Sequence, residues 1–184
     1  RFASLVRSVL DHSTQSLISL EEEMSQLQLY LTLENLRFNQ CIHYDIIVKR
    51  PIQAGKIFIP TMIIQPFVEN ALNHGLFHQE EEKELKVSFA QIEGNMLHCQ
   101  IEDNGIGISK EKQENMFESF SLGSIQIYRK YGGTGLGLSI VKGLIEILKG
   151  KIYLKSELGK GTTFFFEIPL QYAPETAKIQ TEDY

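Results

Sequence analysis

Residues 84–92 alternate Leu85, Val87 and Phe89 with Glu84, Lys86 and Ser88, and a second extended run follows at 96–103. Successive strand side chains point to opposite faces, so each run carries one oily face that must be covered and one that tolerates water. The second run places Leu97, Cys99, Ile101 and Asp103 on the same side. A carboxylate thus closes an apolar row, and burying it without a donor would be costly. One possible donor is a backbone amide of the following turn, since Asp and Asn before Gly commonly cap turns. The other is an amine of a bound ligand, with Gly105 and Gly107 letting that ligand approach the main chain.

Helices are needed to cover that face. Ile64, Phe67, Val68, Ala71, Leu72 and Gly75 follow i, i+3, i+4 spacing and predict a helix over 62–76, with Pro66 in or near its first turn. Ser19-Leu20-Glu21-Glu22 resembles a capping box, and Met24, Leu27, Leu31 and Phe38 recur at helical spacing, so 20–38 is expected to form one amphipathic helix. The opening residues 1–10 also read as helix. Strands are expected at 41–49 and 56–59, separated by Pro51 and Gly55. A short helix at 109–118, a loop at 119–134 and a very apolar helix at 135–149 come next. Strands at 151–156 and 162–168 flank the turn Gly159-Lys160-Gly161. The polar segment 79–84 reads as a solvated turn, and the tail from Ala173 as frayed.

The 184 residues suit one domain of ordinary size with a short appendage. A net charge of −5 argues against a nucleic-acid binder, which would carry a basic face. Cys41 and Cys99 make neither a metal-ligand pair nor a disulfide framework, and both are expected as small core residues in a reducing compartment. No apolar run reaches the length needed to span a bilayer and no signal peptide is visible, so the fragment itself is expected outside the membrane. Since it begins at Arg1 and already in a helical pattern, it is expected to be part of a longer protein.

Of the 14 glycines, 11 fall between Gly105 and Gly161. Gly132-Gly133-Thr134-Gly135-Leu136-Gly137-Leu138 runs into the 135–149 helix, where successive N–H groups and the helix dipole favour an anion, and Arg129 and Lys130 stand just upstream. Its spacing is not that of a P-loop, and no strand immediately precedes it as a dinucleotide fingerprint requires. On the 62–76 helix, Glu69, Asn70 and Asn73 lie opposite the apolar stripe with His74 at its flank, and i, i+4 spacing pairs Glu69 with Asn73 and Asn70 with His74. This is either a plain polar face or a site at which a carboxamide oxygen supplies one magnesium ligand while nucleotide phosphates and water supply the rest.

In this order the elements resemble the ATP-binding domain of sensor histidine kinases, within the superfamily that includes DNA gyrase, heat-shock chaperones of the 90 kDa class and mismatch-repair ATPases. Glu69-Asn70 through Gly75 resembles the N box and Asp103-Asn104-Gly105-Ile106-Gly107 the first glycine box. Met116-Phe117-Glu118-Ser119-Phe120 resembles the phenylalanine box. Gly133 to Lys142 resembles the second glycine box, and Gly159-Lys160-Gly161-Thr162 completes the set. Ile18 to Glu23, Leu31 to Phe38 and Ile64 to Ala71 are similar to the LytS-type branch. Pro66 replaces the first N-box asparagine of many other histidine kinases, as in that branch, whereas the phenylalanine and second glycine boxes look more like the other kinases.

The resemblance implies an α+β fold, a two-layer α/β sandwich whose mixed sheet is covered on one face by helices and preceded by an N-terminal helical segment. Residues 1–40 would end the dimerisation and phosphoacceptor region, 41–172 would be the ATP-binding catalytic domain and 173–184 a flexible tail. Asp103 would accept from the adenine amine, helped by Thr162 through water, and Gly105 and Gly107 would shape the base pocket. Asn70 would hold Mg2+, Asn73 and His74 would border the phosphates or ribose, and Glu69 would act as a base toward the nucleophile. Segment 119–134, with Phe120, Arg129, Lys130 and Tyr131, would be an ATP lid, and Gly133, Thr134, Gly135, Leu136, Gly137 and Leu138 would meet the phosphates.

The implied reaction moves the ATP γ-phosphoryl group to a histidine upstream of this fragment, then to an aspartate of a response-regulator receiver domain. The implied whole protein is a homodimer through upstream helices and an inner-membrane sensor with this domain in the cytoplasm. His12, His43, His78 and His98 lack the acceptor's context and are expected as surface residues. A nucleotide-gated interaction module, or an ATPase or serine kinase of the same superfamily, would carry the same boxes.

Overall fold

A computed structural model describes residues 17–79, 82–117 and 136–172. Helix α1 (Leu20–Arg37) begins at the expected capping box: the Ser19 hydroxyl accepts from the Glu22 amide, and the Glu22 carboxylate accepts from the Ser19 amide at 2.9 Å. Leu20, Leu27 and Leu31 are buried, and so is Glu23, whose carboxylate accepts from the Met62 amide at 3.2 Å. Before the helix, β1 (Leu17–Ser19) pairs antiparallel with β3 (Ile57–Pro60), which pairs on its other side with β8 (Gln171–Tyr172). This small three-stranded sheet was not foreseen, because strands of two and three residues carry no readable alternation.

The main sheet contains β2 (Ile42–Val48), β4 (Lys83–Ile92), β5 (Met96–Asp103), β6 (Lys151–Glu157) and β7 (Gly161–Pro169), in the order β2-β4-β5-β7-β6. It is mixed: β2 runs parallel to β4, and the remaining neighbours are antiparallel. Parallel neighbours require a crossover, and here the crossover contains β3 and α2 (Gln65–Asn70). Helix α2 passes directly into a wide π-helical stretch, Ala71–Leu76, rather than continuing as the single α-helix expected over 62–76. Phe77 N accordingly bonds Leu72 O, five residues back, at 2.9 Å.

Two further helices are α3 (Lys110–Asn115) and α4 (Leu136–Ile147). The inner face of the sheet supplies Leu85, Val87, Phe89, Leu97, Cys99, Ile101, Phe164 and Phe166 to the core, and α2 adds Phe67 and Val68. Phe67 has its ring 5.5 Å from those of Phe164 and of Phe166. Phe67→Ala is expected to lower stability by about 3–5 kcal/mol, read as a lower denaturant midpoint at unchanged slope.

Cys99 is buried as expected, but Cys41 is exposed, because it sits in the turn before β2 rather than inside the strand. Ser88 faces outward by alternation yet is buried. His98 is more covered than a surface residue: on the outer face of the sheet its ring lies 5.7 Å from Phe165 and its Nδ1 3.3 Å from Glu167. Among the described residues, no helix is long and apolar enough to cross a membrane.

Candidate functional site

Asp103 ends β5 with 4% of its surface exposed, opposite Thr162 of β7 and Leu85 of β4. The Gly105 amide donates to its Oδ1 at 2.9 Å and the Thr162 amide also donates to the carboxylate. The turn-capping donor foreseen from Asp before Gly is therefore present. Two amides do not use the roughly four acceptor sites of a carboxylate. Nor do they offset the loss of solvent: burial pushes the Asp103 carboxyl up to about 6, with the two amides opposing the shift and Glu102 adding a little to it. A buried acceptor with spare capacity and, among the described residues, no cation against it suits a neutral donor.

The wall beside this carboxylate is bare backbone. A Cβ on Gly75 would lie 2.6 Å from Asp103 Oδ1, and one on Gly105 would lie 2.3 Å from the Gly75 carbonyl carbon. The Gly75 carbonyl accepts from Ile106 N at 3.2 Å, and the Ile106 carbonyl accepts from Gly159 N at 2.9 Å. The π-helical end, the 103–107 loop and the 158–161 turn are thereby laced together. Gly161 adopts a φ of +109° with its α-carbon hard against the Asp103 carbonyl, a place closed to any side chain.

Thr162 is buried, with its hydroxyl 2.9 Å from that of Ser156. Ser156 Oγ donates to Gly161 O at 2.9 Å and accepts from Ile108 N at 2.8 Å. Its single proton is thus committed, so Thr162 donates to Ser156 and keeps its own lone pairs as acceptors. Ser156 had no signal in the sequence beyond its place near the end of a strand.

Along the helix wall, Glu69 and Asn70 are half-buried and Asn73 and His74 are exposed. The pairings expected from i, i+4 spacing do not form. Glu69 Oε1 instead accepts from Gln65 Nε2 at 2.8 Å, and Asn73 Oδ1 from Arg37 Nη2 of α1 at 2.7 Å. Asn70 makes no side-chain hydrogen bond among the described residues, so its carboxamide is available. His74 is held below the ordinary imidazole value by partial burial, then by His78 and Lys112, and is neutral at pH 7.

Among the described residues no group of three His, Cys, Asp or Glu side chains could hold a metal. A lone carboxamide with no carboxylate cage fits Mg2+ that arrives on phosphates, since that ion commonly takes one or two protein oxygens and keeps the rest for phosphate and water. Gly137 and Leu138 lie in the first turn of α4, which Leu136 opens. A Cβ on Gly137 would be 3.2 Å from Pro66 Cβ, and Leu138 is buried. The first turns of α4 and α2 therefore touch. Gly107 has a φ of +69° and packs against the Glu157 carbonyl, so it shapes the loop that follows Asp103. Phe120, Arg129, Lys130, Tyr131, Gly133, Thr134 and Gly135 lie outside the described residues, and Phe117 packs edge-on against Phe164.

A sheet covered by helices, a buried acid closing its inner row and a glycine-bared wall beside it describe an ATP-binding domain of one class. The chain belongs to the histidine kinase-, DNA gyrase B- and HSP90-like ATPase family, whose model matches residues 56–172. A histidine kinase model matches residues 1–42. Over 178 residues, 95% of its length, the chain is 32% identical to the sensor protein LytS of Bacillus cereus, of which it spans 28%. Over 83 residues, 45% of its length, it is 48% identical to the autoinducer 2 sensor kinase/phosphatase LuxQ of Vibrio vulnificus, of which it spans 10%.

Solved histidine kinases share the fold. The mycobacterial sensor histidine kinase MprB aligns with a TM-score of 0.59 at 19% identity, over 85% of this chain and 97% of that one. Full-length ShkA in complex with AMPPNP aligns with a TM-score of 0.63 at 23% identity, over 94% of this chain and 36% of that one.

Proposed function

We propose that this chain is the catalytic part of a two-component sensor kinase, binding ATP and presenting its γ-phosphoryl group to a histidine upstream of the fragment. Asp103 carries the reading: a buried carboxylate with unused acceptor sites, beside a wall bare of side chains, matches the exocyclic amine and flat face of adenine. Thr162, with its lone pairs free, would accept through a water. Asn70 would hold Mg2+, which neutralises phosphate charge when bound. Asn73 and His74 would line the ribose and phosphates, and Glu69 would receive the proton of the nucleophile. The segment 119–134 would close over the nucleotide, and the glycines at 133, 135 and 137 would let the start of α4 meet the phosphates.

Phosphoryl transfer depends chiefly on position and charge, so such a site suffices chemically once an acceptor is delivered. Residues 1–40 would then complete the dimerisation and acceptor region, 41–172 the catalytic domain, and 173–184 a tail. The phosphoryl group would pass to an aspartate of a response-regulator receiver domain, in a homodimer joined through upstream helices. Relatives named as sensors support a signalling role; in this reading the whole protein would sit in the inner membrane with this part in the cytoplasm.

Incubating the full-length protein with γ-labelled ATP tests the reading: acid-labile label on histidine is expected. ATP binding with no such label would indicate a nucleotide-gated interaction module instead. Asn70→Ala is expected to remove the part of ATP affinity that depends on Mg2+, about tenfold. Adenosine binding should be unchanged in the same calorimetric titrations, and equal losses for both ligands would remove Asn70 from the metal.

A further inference from the structure

Arg37 lies outside the stretch matched by the ATPase family model, yet it reaches the helix wall of the candidate site across 36 residues of chain. One nitrogen makes two contacts: Arg37 Nη2 donates to Asn73 Oδ1 at 2.7 Å and stands 3.1 Å from Glu34 Oε2. Glu34 Oε2 is buried without an aligned hydrogen bond, so the adjacent guanidinium charge is what compensates it. The guanidinium carbon lies 5.3 Å from the centre of the Phe38 ring, a third restraint. Half-buried Tyr30 belongs to the same cluster, its hydroxyl raised by burial and by Glu34 and Glu69, and lowered by Arg37.

The chemistry of the bond settles which way Asn73 faces. A guanidinium has donors and no acceptor, so the atom of Asn73 that it holds must be the carboxamide oxygen. The open end of Asn73 is therefore its NH2 group, a donor. Asn70, with no such partner among the described residues, is free to turn its oxygen outward. Two asparagines one helical turn apart thus present opposite polarity, an acceptor suited to a cation and a donor suited to an anion. Arg37 keeps further N–H groups in hand, and 51% of its side-chain surface is open to solvent.

We propose that Arg37 is a nucleotide-positioning residue: held by Glu34, it fixes Asn73 with its N–H end toward the phosphates and sets a positive charge beside them. This rests on the nucleotide reading above and adds to it a residue contributed by α1, ahead of the ATPase portion. The phosphate end of the cleft is then shared between two segments, and ATP is gripped fully only when α1 is docked.

The test compares ATP with adenosine, titrated into the 184-residue chain and its variants by calorimetry. Arg37→Met alone would strand Glu34, so the neutral double variant Glu34→Gln/Arg37→Met is used beside it. In the double variant ATP affinity is expected to fall about tenfold and adenosine affinity by less than about twofold. Arg37→Lys, which keeps the charge, should recover part of the loss. Asn73→Asp, which still accepts from Arg37 but turns a second oxygen outward, should weaken ATP about tenfold or more and leave adenosine alone. An unchanged ATP-to-adenosine ratio in the double variant or in Asn73→Asp overturns the proposal, as does a loss shared equally by both ligands, which marks a purely structural contact. A wild-type chain that binds neither ligand instead overturns the nucleotide reading itself.

Discussion

Asp103→Asn is expected to cost at least about a hundredfold in ATP affinity while making the ligand-free domain more stable. The two effects share one cause. In the absence of ligand, the carboxylate is buried with two amide donors that do not replace its lost hydration, and its carboxyl sits near 6 instead of 3.8. The native state therefore holds a proton that the unfolded chain has already released between about pH 4 and pH 6. Acidification through that window stabilises the fold, and the benefit is lost as pH rises through 6. A neutral Asn escapes the penalty, and its carboxamide oxygen still accepts from Gly105. It should thus gain on the order of 2 kcal/mol at neutral pH, seen as a melting point several degrees higher.

Binding has the opposite slope. The amine needs an acceptor, so adenosine affinity should weaken as pH falls below about 6, by up to tenfold per unit, and be flat above it. Adenosine is the ligand of choice, because the terminal phosphate of ATP titrates nearby. Asp103→Asn should abolish both slopes. A pH-independent wild-type protein, or a variant with equal affinity, would place the base elsewhere.

Gly105→Ala is expected to lower stability by about 3 kcal/mol and to weaken adenosine in step. The new methyl group would lie 2.3 Å from the carbonyl carbon and 2.5 Å from the α-carbon of Gly75. Neither is a side chain that can swing aside. Loop 103–107 would have to lift away from the π-helical end, breaking the Ile106–Gly75 hydrogen bond and carrying Asp103 with it. Thermal melts and calorimetry on the same samples decide the matter: native values in both would mean that the loop is not seated on Gly75.

The features legible in the sequence were local or periodic. The α1 capping box depends on two residues three apart, and the alternation along 96–103 placed Asp103 on the inner face without further information. The two-layer α+β architecture with a mixed sheet followed from the motif set. The π-helical stretch was hidden because a stripe of apolar residues fits a slightly wider turn almost as well as an ordinary one. β1 and β8 exist through distant partners, Ile57 to Pro60, and their own residues say little. Spacing pairs Asn73 with Glu69, but Glu69 accepts from Gln65 one turn earlier and the Asn73 oxygen accepts from Arg37 of another helix, a donor that spacing within one helix does not reveal. Cys41 is exposed where a core position is expected, because burial depends on where the neighbouring strand begins and not on the residue type.

The crossover between β2 and β4 has a mechanical consequence for the proposed kinase. Glu69 through His74 ride on a link tethered at each end to neighbouring strands, so this side of the cleft behaves as an anvil. Whatever grips a triphosphate must be brought down onto it. Under the proposed function a stimulus would be relayed by changing what meets this surface, and α1, whose Arg37 touches it, would be one such element.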